Sequence, residues 1–385
     1  MKVALVHDWL TGMRGGEAVL EAISEIFPQA ELFTLIHIPG TVSPQLASLK
    51  KHTSFLQKFP QIEKRYRQYL PFMPKAIESL DLSEFDLILS SSHCVAKGVQ
   101  KSSSAVHVSY VHAPMRYMWD RFDDYFGPGK ASFLVRLAAR LFRKPLQNWD
   151  KKVSSIQRVD HLIGNSQFIA NQIESAYGRK ASVVYPFAKL ERFKKTDAKR
   201  NGYLMVGAFA PYKRVDLAIE VFNELGLPLR IVGKGQEFNR LKKQAGPTIE
   251  LLGSLSDAAI EDLYSKSKAF IFPGKEDFGI TPLEAMASGL PVIAFGEGGA
   301  SETVSSQAGI LFLPQTVEAL KKAVLEVENN ERVFDPDDCR ARAKEFSLIR
   351  FQENYLKEVL SVWKEKKGST DSLKEVVDPQ FYLFF

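Results

Sequence analysis

One pattern constrains this chain more than any other, and it runs twice. Short runs rich in Val, Ile, Leu and Phe alternate with longer stretches whose apolar residues recur at spacings of three and four. In the first pass KVALVHDWL (2–10) reads as a strand and GGEAVLEAISEIF (15–27) as an amphipathic helix. FDLILSSS (85–92), AVHVSYVHA (105–113) and HLIGNS (161–166) read as further strands. QFIANQIESAYG (167–178) is helical, and ASVVYPF (181–187) ends the pass at a proline. A polar stretch, KLERFKKTDAKRNG (189–202), reads as a linker. The alternation then restarts with GYLMVGAF, VDLAIEVFNELG, PLRIVGKG, IELLGSLS, KAFIFPG and LPVIAFGEGG. SLIRFQENYLKEVLSVWKEKK (347–367) is a terminal helix. Strands separated by helix-length connections must run parallel, because only a crossover returns the chain to the same edge. The expectation is α/β: an N-terminal Rossmann-like domain over 1–187, a second over 188–346, and a terminal helix with an apolar tail over 347–385. In such sheets ligands bind at the carboxyl ends of the strands.

Composition narrows the function classes. Hydrophobic residues at 45% and charged residues at 25% suit a protein with a packed core, and no apolar run approaches the ~18 residues that span a bilayer. MKVALVHDWL runs straight into a strand pattern without a signal-peptide cleavage region, so a cytoplasmic location is expected. Two cysteines, Cys94 and Cys339, offer neither a disulfide framework nor a cysteine-rich metal site. Residues 1–187 carry 23 Lys and Arg against 16 Asp and Glu, while the rest carries 28 against 29. The excess positive charge therefore sits in the first half, which suits an anionic partner there. Compact basic-aromatic nucleic-acid motifs are missing, so no nucleic-acid partner is expected.

The most informative stretch is PGKEDFGITPLEAMASGLPVIAFGEGGASE (273–302). It reads as strand end, loop, helix, strand and glycine-rich turn. Thr281-Pro282-Leu283-Glu284 has the form of a helix start, with Thr281 as N-cap, Pro282 first in the helix and Glu284 closing a capping box. Glu276 lies eight residues earlier, in the loop, with Gly279 between. A glycine-containing loop running into a helix is an anion site, since unpaired N–H groups and the helix dipole converge there. Carboxylates on either side would repel phosphate unless they faced hydroxyls. The combination suits a ligand with phosphates in its middle and polyols at both ends, which is the shape of a nucleotide sugar.

EDFGITPLE, with Glu276 and Glu284 in E-x7-E spacing, and the following AMASGLPVIAFGEGGASE closely resemble the retaining family 4 glycosyltransferases of GT-B fold. The resemblance extends to VGAFAPYKRVDLAIEVF (206–222), IVGKGQE (231–237), IELLGSLSD (249–257) and DWLTGMRGGEAVLE (8–21). It implies two Rossmann-like domains facing across a cleft, the terminal helix returning to the N-terminal one, and transfer of a sugar from a nucleotide-sugar donor to a glycan acceptor. The nearest subgroup resembles bacterial mannosyltransferases of polysaccharide and O-antigen assembly, which favours mannose from GDP-mannose. By the same resemblance Glu284 holds the donor ribose and Glu276 the transferred sugar. Backbone amides at Phe278, Gly279 and Ile280 meet the sugar and diphosphate, and Lys213 neutralises the leaving diphosphate. Gly15 and Gly16 allow close approach near the phosphates, and His112 stands near the sugar. The base is expected near Gly253, Ser254, Leu255 and Lys234–Glu237. The chain departs from the family at Ala208, where an arginine is usual; Arg214, beside Lys213, is the candidate to replace it. Retention is expected without an enzyme nucleophile and without a metal ion or other cofactor.

Other signals carry less. Gly233-Lys234-Gly235 lacks the third glycine of a dinucleotide fingerprint. Asp335-Pro336-Asp337 is a D-x-D pattern, but it precedes a helical segment and reads as a turn or N-cap. His7, His93, His107 and His161 lack metal-ligand spacing and read as structural. Asp8 and Trp9 end the first strand, where acceptor contact and core packing both fit. Two alternatives to transfer stay open: a glycan phosphorylase or hydrolase on the same fold, and a non-catalytic nucleotide-sugar-binding protein.

Two first-half segments are basic and amphipathic. SFLVRLAARLFRK (132–144) sets Phe133, Leu134, Leu137 and Leu141 on one face and Arg136, Arg140 and Arg143 on another. FLQKFPQIEKRYRQYLPFMPK (55–75) mixes aromatics with Lys58, Lys64, Arg65, Arg67 and Lys75. Such segments suit the surface of an anionic membrane, which would place the protein on the inner face of the plasma membrane beside a lipid-linked acceptor. The competing expectation is that the apolar faces pack into the core and the arginines face water. The tail FYLFF (381–385) is apolar enough to dock on the protein itself or on a partner.

Overall fold

A computed structural model describes residues 1–127, 132–194 and 199–384, so part of the linker (195–198) and Phe385 of the apolar tail lie outside the described residues. The chain divides into two units, Met1–Tyr185 with Ile349–Phe385, and Pro186–Leu348. Unit 1 carries seven parallel strands: β1 (Val3–His7), β2 (Glu31–Thr34), β3 (Lys51–Thr53), β4 (Leu87–Ser92), β5 (Val106–Val111), β6 (His161–Gly164) and β7 (Ser182–Val183), in spatial order β3-β2-β1-β4-β5-β6-β7. Unit 2 carries six: β8 (Tyr203–Val206), β9 (Leu229–Val232), β10 (Ile249–Gly253), β11 (Ala269–Phe272), β12 (Val292–Phe295) and β13 (Gly309–Phe312), ordered β10-β9-β8-β11-β12-β13. All the paired strands are parallel, as the helix-length connections require.

The strands read as continuous apolar runs because both faces of each sheet are covered. In β8, Tyr203 and Met205 join a cluster with Ile231, Ile271 and Ile293, while the intervening Leu204 joins Phe270, Phe272 and Val292 on the opposite face. That is the two-residue period of a strand with a core on either side. Side-chain caps start several helices: Ser166 accepts the Ile169 N–H, Ser256 that of Ala259 and Thr316 that of Ala319. Each satisfies a donor the helix cannot, which is worth about 1 kcal/mol.

The terminal helix Leu348–Lys367 leaves unit 2 and packs in unit 1. Gln352 donates to the Ala22 carbonyl and to Glu25, at 3.2 and 2.7 Å. His161 meets Glu358 at 3.0 Å, and the rings of Phe351 and Tyr355 pack edge-on against Tyr110. The tail docks through buried Phe381, with Phe384 beneath Lys357, and leaves Leu383 exposed. Of the two outcomes considered for the tail, it docks on the protein.

Each sheet reverses its winding once, at β1/β4 in unit 1 and β8/β11 in unit 2. Loops leaving neighbouring strands there diverge to opposite sides and open a crevice.

Candidate functional site

At the β8/β11 reversal of unit 2, Lys213 and Glu276 form an ion pair, both largely buried. Lys213 follows β8 in a helical turn (Pro211–Lys213), and its ammonium sits over the rings of Tyr212 and Phe272 at 5.7 and 5.8 Å. Gly274 makes this proximity possible: a Cβ there would stand 2.6 Å from the Tyr212 carbonyl and 2.8 Å from the Lys213 Cα. The Glu276 carbonyl accepts the Gly299 N–H at 2.9 Å, tying the loop to the turn after β12. Arg214 is otherwise engaged. It donates to Asp216 at 3.3 Å and to Gln315 at 3.1 Å, and Gln315 in turn donates to the Pro273 carbonyl. The lysine therefore faces Glu276, while the arginine braces the start of the same loop.

The helix after this loop runs Ile280–Ala287, with Gly279 as its N-cap at φ 93°, a left-handed conformation that glycine adopts without strain. This corrects the expected capping box. The cap lies two positions earlier than Thr281, so Glu284 stands in the second turn, too far along to reach the cap. Its carboxylate instead accepts from the Tyr264 hydroxyl at 3.1 Å. Burial raises the Glu284 pKa, offset in part by Tyr264 and by the nearby Arg192 guanidinium. Arg192 is held by Glu261 at 2.8 Å. Gly253, at φ 70°, ends β10 and is followed by Ser254 and Leu255, and the Gly253 carbonyl accepts the Gly233 N–H at 2.8 Å. The Lys234–Glu237 loop is tied to Phe209 through the Lys234 carbonyl and the Glu237 N–H. Phe278 is buried against Phe346.

At the β1/β4 reversal of unit 1 three histidines gather beside a buried carboxylate. His7 ends β1, His93 follows β4 and His112 follows β5. The His7 Nδ1 contacts the Ser91 carbonyl at 3.0 Å, and the Ser91 hydroxyl meets His112 Nε2 at 2.8 Å. Since a carbonyl only accepts, His7 Nδ1 carries a proton, and its buried Nε2 has no partner among the described residues. The helix Gly15–Ile26 starts against this group: a Cβ on Gly16 would lie 3.5 Å from His7 and 3.7 Å from His112. Burial pulls His93 down to about 4 and His112 well below the ordinary histidine range, with His93, His7 and Arg116 adding to the fall at His112. Asp8 and Trp9 are buried. The Asp8 carboxylate accepts the N–H groups of His93, Cys94, Val95 and Ala96 at 2.5–3.0 Å, so it shapes the turn after β4. Burial pushes its pKa up, and His93, His7 and these N–H groups bring it to a net value below the ordinary one.

Residues 187–346 match the family Glycosyl transferases group 1, and residues 30–192 match Glycosyltransferase Family 4. The chain belongs to the family 4 (group 1) glycosyltransferases. It is 30% identical over 212 residues to an uncharacterized glycosyltransferase of Methanocaldococcus jannaschii, covering 54% of this chain and 60% of that one. It is 28% identical over 217 residues to O-antigen chain mannosyltransferase C of Escherichia coli, covering 51% and 57%. A 102-residue stretch is 40% identical to a GDP-mannose-dependent alpha-mannosyltransferase of Mycolicibacterium smegmatis, covering 26% and 27%. The chain thus spans well under two thirds of the length of these relatives. In fold it resembles the apo form of the lipopolysaccharide outer core galactosyltransferase WaaB, with a TM-score of 0.66 and 16% identity over 94% of this chain and 99% of that one. The fold is GT-B.

Set against the family pattern, unit 2 brings Lys213, Glu276, Phe278, Gly279 and Ile280 to one strand reversal, with Glu284 a turn further along its helix. In unit 1, Gly16 and His112 meet at the other reversal, with Gly15 opening the helix that brings Gly16 there. Sequence reading missed His7 and His93 there, as well as Tyr264 and Arg192 beside Glu284. A usable signal existed for the histidines: each stands at the carboxyl end of a parallel strand, where these sheets put ligand contacts. His107, by contrast, sits inside β5 and is held by Ser90 and the Arg158 carbonyl, a structural position. Asp335 caps the helix Pro336–Lys344 by accepting the Asp337 N–H at 2.8 Å.

Proposed function

We propose that this chain transfers a sugar from a nucleotide-sugar donor to a glycan acceptor with retention of configuration and without a metal ion. Mannose from GDP-mannose is the favoured donor, on the names of the mannosyltransferase relatives. The observation that carries the reading is the Lys213–Glu276 pair at the strand reversal of unit 2, just ahead of the Gly279 helix start. Cleaving the bond between the anomeric carbon and phosphate builds positive charge on the sugar and negative charge on the diphosphate. Lys213 and the N–H groups at Gly279 and Ile280 are suited to the second charge, the kind of pre-set electrostatics that supplies much of catalysis. Glu276 suits the hydroxyls of the sugar and Glu284 those of the ribose. Arg214, committed to Asp216 and Gln315, supports the loop and leaves Lys213 as the cation on the leaving group. The neutral His93 and His112 and the unpartnered His7 Nε2 of unit 1 suit uncharged hydroxyls of an acceptor. A lipid-linked or growing glycan at the inner face of the plasma membrane fits the basic charge of that unit.

Thermal unfolding in the presence of GDP, UDP, ADP and their sugar conjugates, with and without EDTA, tests the reading. A ligand that binds only the folded chain stabilises it by about 2.7 kcal/mol at a hundred times its Kd. Stabilisation by one nucleotide series, unchanged by EDTA and followed by turnover with its sugar conjugate, is the expected result. Turnover on glycan without any nucleotide would point instead to a phosphorylase or hydrolase. Donor binding without turnover on any glycan would point to a binding protein.

A further inference from the structure

The helix Phe133–Val153 is mounted inside out. Its inward ridge is Ala139, Arg143, Leu146, Asp150 and Val153, and much of what it offers the protein is polar. Arg143 donates to the Met118 and Trp119 carbonyls at 3.0 and 3.1 Å, and its guanidinium lies over the Phe122 ring at 4.3 Å. Asp150, fully buried, meets Lys97 at 2.6 Å, Trp119 at 2.8 Å and Tyr177 at 2.9 Å. The outward ridge is Leu134, Leu137 and Leu141, which share one face by their spacing of three and four. They are 74%, 47% and 67% exposed, and Phe133 beside them is 73% exposed. The expectation that the leucines would pack inward and the arginines outward is reversed for Arg143.

The helix cannot relieve this exposure by rolling. Turning the leucines inward would pull Arg143 off its carbonyls and Asp150 out of a buried network, leaving Lys97 an unpaired charge in the core. Four large apolar side chains held outward on one helix exceed the scattered exposure usual on a soluble surface. The exposed charges along the same helix, Arg140, Lys144, Lys151 and Lys152, are all positive. Segment 55–75 packs on the same core through Tyr66 and Met73, and it exposes Phe55 and Phe72 among Lys58, Lys64, Arg65, Arg67 and Lys75. No helix among the described residues is long and apolar enough to cross a membrane.

We propose that the Leu134–Leu137–Leu141 ridge inserts into the interfacial layer of an anionic phospholipid membrane, with Arg140 and Lys144 against the headgroup phosphates. Apolar residues on one ridge flanked by unopposed cations is the composition of a helix lying in that layer. The inference deepens the proposed lipid-linked acceptor by naming the surface on which it would be met, yet the docking itself stands on the helix alone.

The test is flotation of the full chain with vesicles of phosphatidylcholine alone and of phosphatidylcholine mixed with phosphatidylglycerol. Wild type is expected to bind the anionic vesicles preferentially, more so at low salt. The combined Leu134→Ser, Leu137→Ser, Leu141→Ser variant is expected to bind about tenfold or more weakly, with little change in thermal stability because the ridge is mostly exposed. Arg140→Glu with Lys144→Glu should abolish the preference for anionic lipid. A fluorophore on Leu137→Cys should shift to the blue on binding; native Cys94 and Cys339 are buried and do not compete for the label. Equal flotation with neutral and anionic vesicles, or a triple-serine variant that binds like wild type, would overturn the proposal. So would a wild-type dimer in solution that the triple variant dissolves, since a second copy would then be the partner. Nucleotide-induced stabilisation and transfer to a water-soluble acceptor should survive the triple variant. Wild type that transfers sugar to a water-soluble acceptor yet fails to float with anionic vesicles sinks this inference alone, and wild-type vesicle binding without nucleotide stabilisation sinks the transfer reading alone.

Discussion

The two strand reversals occupy the same place in two similar sheets, yet they carry opposite electrostatics. Unit 2 presents a lysine paired with a carboxylate, near a second carboxylate whose pKa burial has raised. Unit 1 presents three histidines, two of which burial keeps neutral at ordinary pH, and the carboxylate beside them, Asp8, is turned onto four backbone N–H groups. The topology fixes where ligand contacts go, and the residues at the strand ends fix which ligand atoms they suit. Formal charge suits phosphates and a transition state that separates charge, whereas neutral imidazoles suit hydroxyls.

The comparison breaks most visibly if charge in unit 2 proves dispensable. Lys213→Ala removes the cation from the leaving diphosphate and leaves Glu276 unpaired beside it. Turnover should fall about 10²–10³-fold, the size seen when one charge-stabilising donor is lost. Nucleoside diphosphate affinity should fall with it, measurable by calorimetry. Glu276→Gln should separate the two effects. Turnover is expected to drop by roughly two orders of magnitude, as a bond to the charged carboxylate that tightens in the transition state is lost. Binding of the bare nucleoside diphosphate should hold or strengthen, because Lys213 is freed from its partner. A parallel loss of binding and rate would contradict this division of labour.

Glu284→Ala should weaken donor binding by roughly 1.5 kcal/mol, about tenfold, through loss of charge-assisted bonds. Tyr264→Phe sharpens the point. It removes the bond that draws the Glu284 pKa down, so burial raises it further and the acid side of the donor-affinity profile moves to higher pH. If Glu284→Ala instead lowers fold stability and spares donor affinity, its role is in packing the helix.

Much of the fold was legible because a parallel sheet buried on both faces writes itself as uninterrupted apolar runs, such as LMV in β8 and FIF in β11. Short strands were not: β2 and β3 are four and three residues long, and the edge strand β3, KHT, has no apolar side chain. The Glu276–Glu284 pair was legible as spacing, since one loop and one helix fix both. The helix start was misread by two positions because Gly279 takes a left-handed cap that no polar side chain announces. His7, His93 and His112 are 105 residues apart from first to last, and only sheet order brings them together. The Phe133–Val153 helix was legible as amphipathic, but which face turns inward was not. Amphipathicity records that two faces differ, and the competing expectation that the apolar one faces in fails where buried Asp150 and the carbonyl-bound Arg143 fix the rotation.

The smallest effect gives a comparison of the two units that needs no ligand. All seven histidines lie in unit 1, and so do all four tryptophans, at 9, 119, 149 and 363. Burial holds His93 and His107 at about 4, while the unfolded chain titrates near the ordinary histidine value of about 6.5. A lowered histidine binds fewer protons folded than unfolded, so stability is full above 6.5 and drains as pH falls toward 4. By pH 5.5 each such histidine costs on the order of 1 kcal/mol. Unit 2 has no histidine, and its raised Glu284 works in the opposite sense, since protonation on acidification relieves a buried charge. Tryptophan fluorescence, which reads unit 1 alone, should therefore show a denaturation midpoint falling between pH 7 and 5. Hydrogen exchange in β8, β9 and β11 should change less over the same range. His107→Gln should flatten the fluorescence trend without touching either strand reversal. An equal acid response in both units would mean that the charge difference between them is local to the binding residues and has no hold on the stability of the units that carry them.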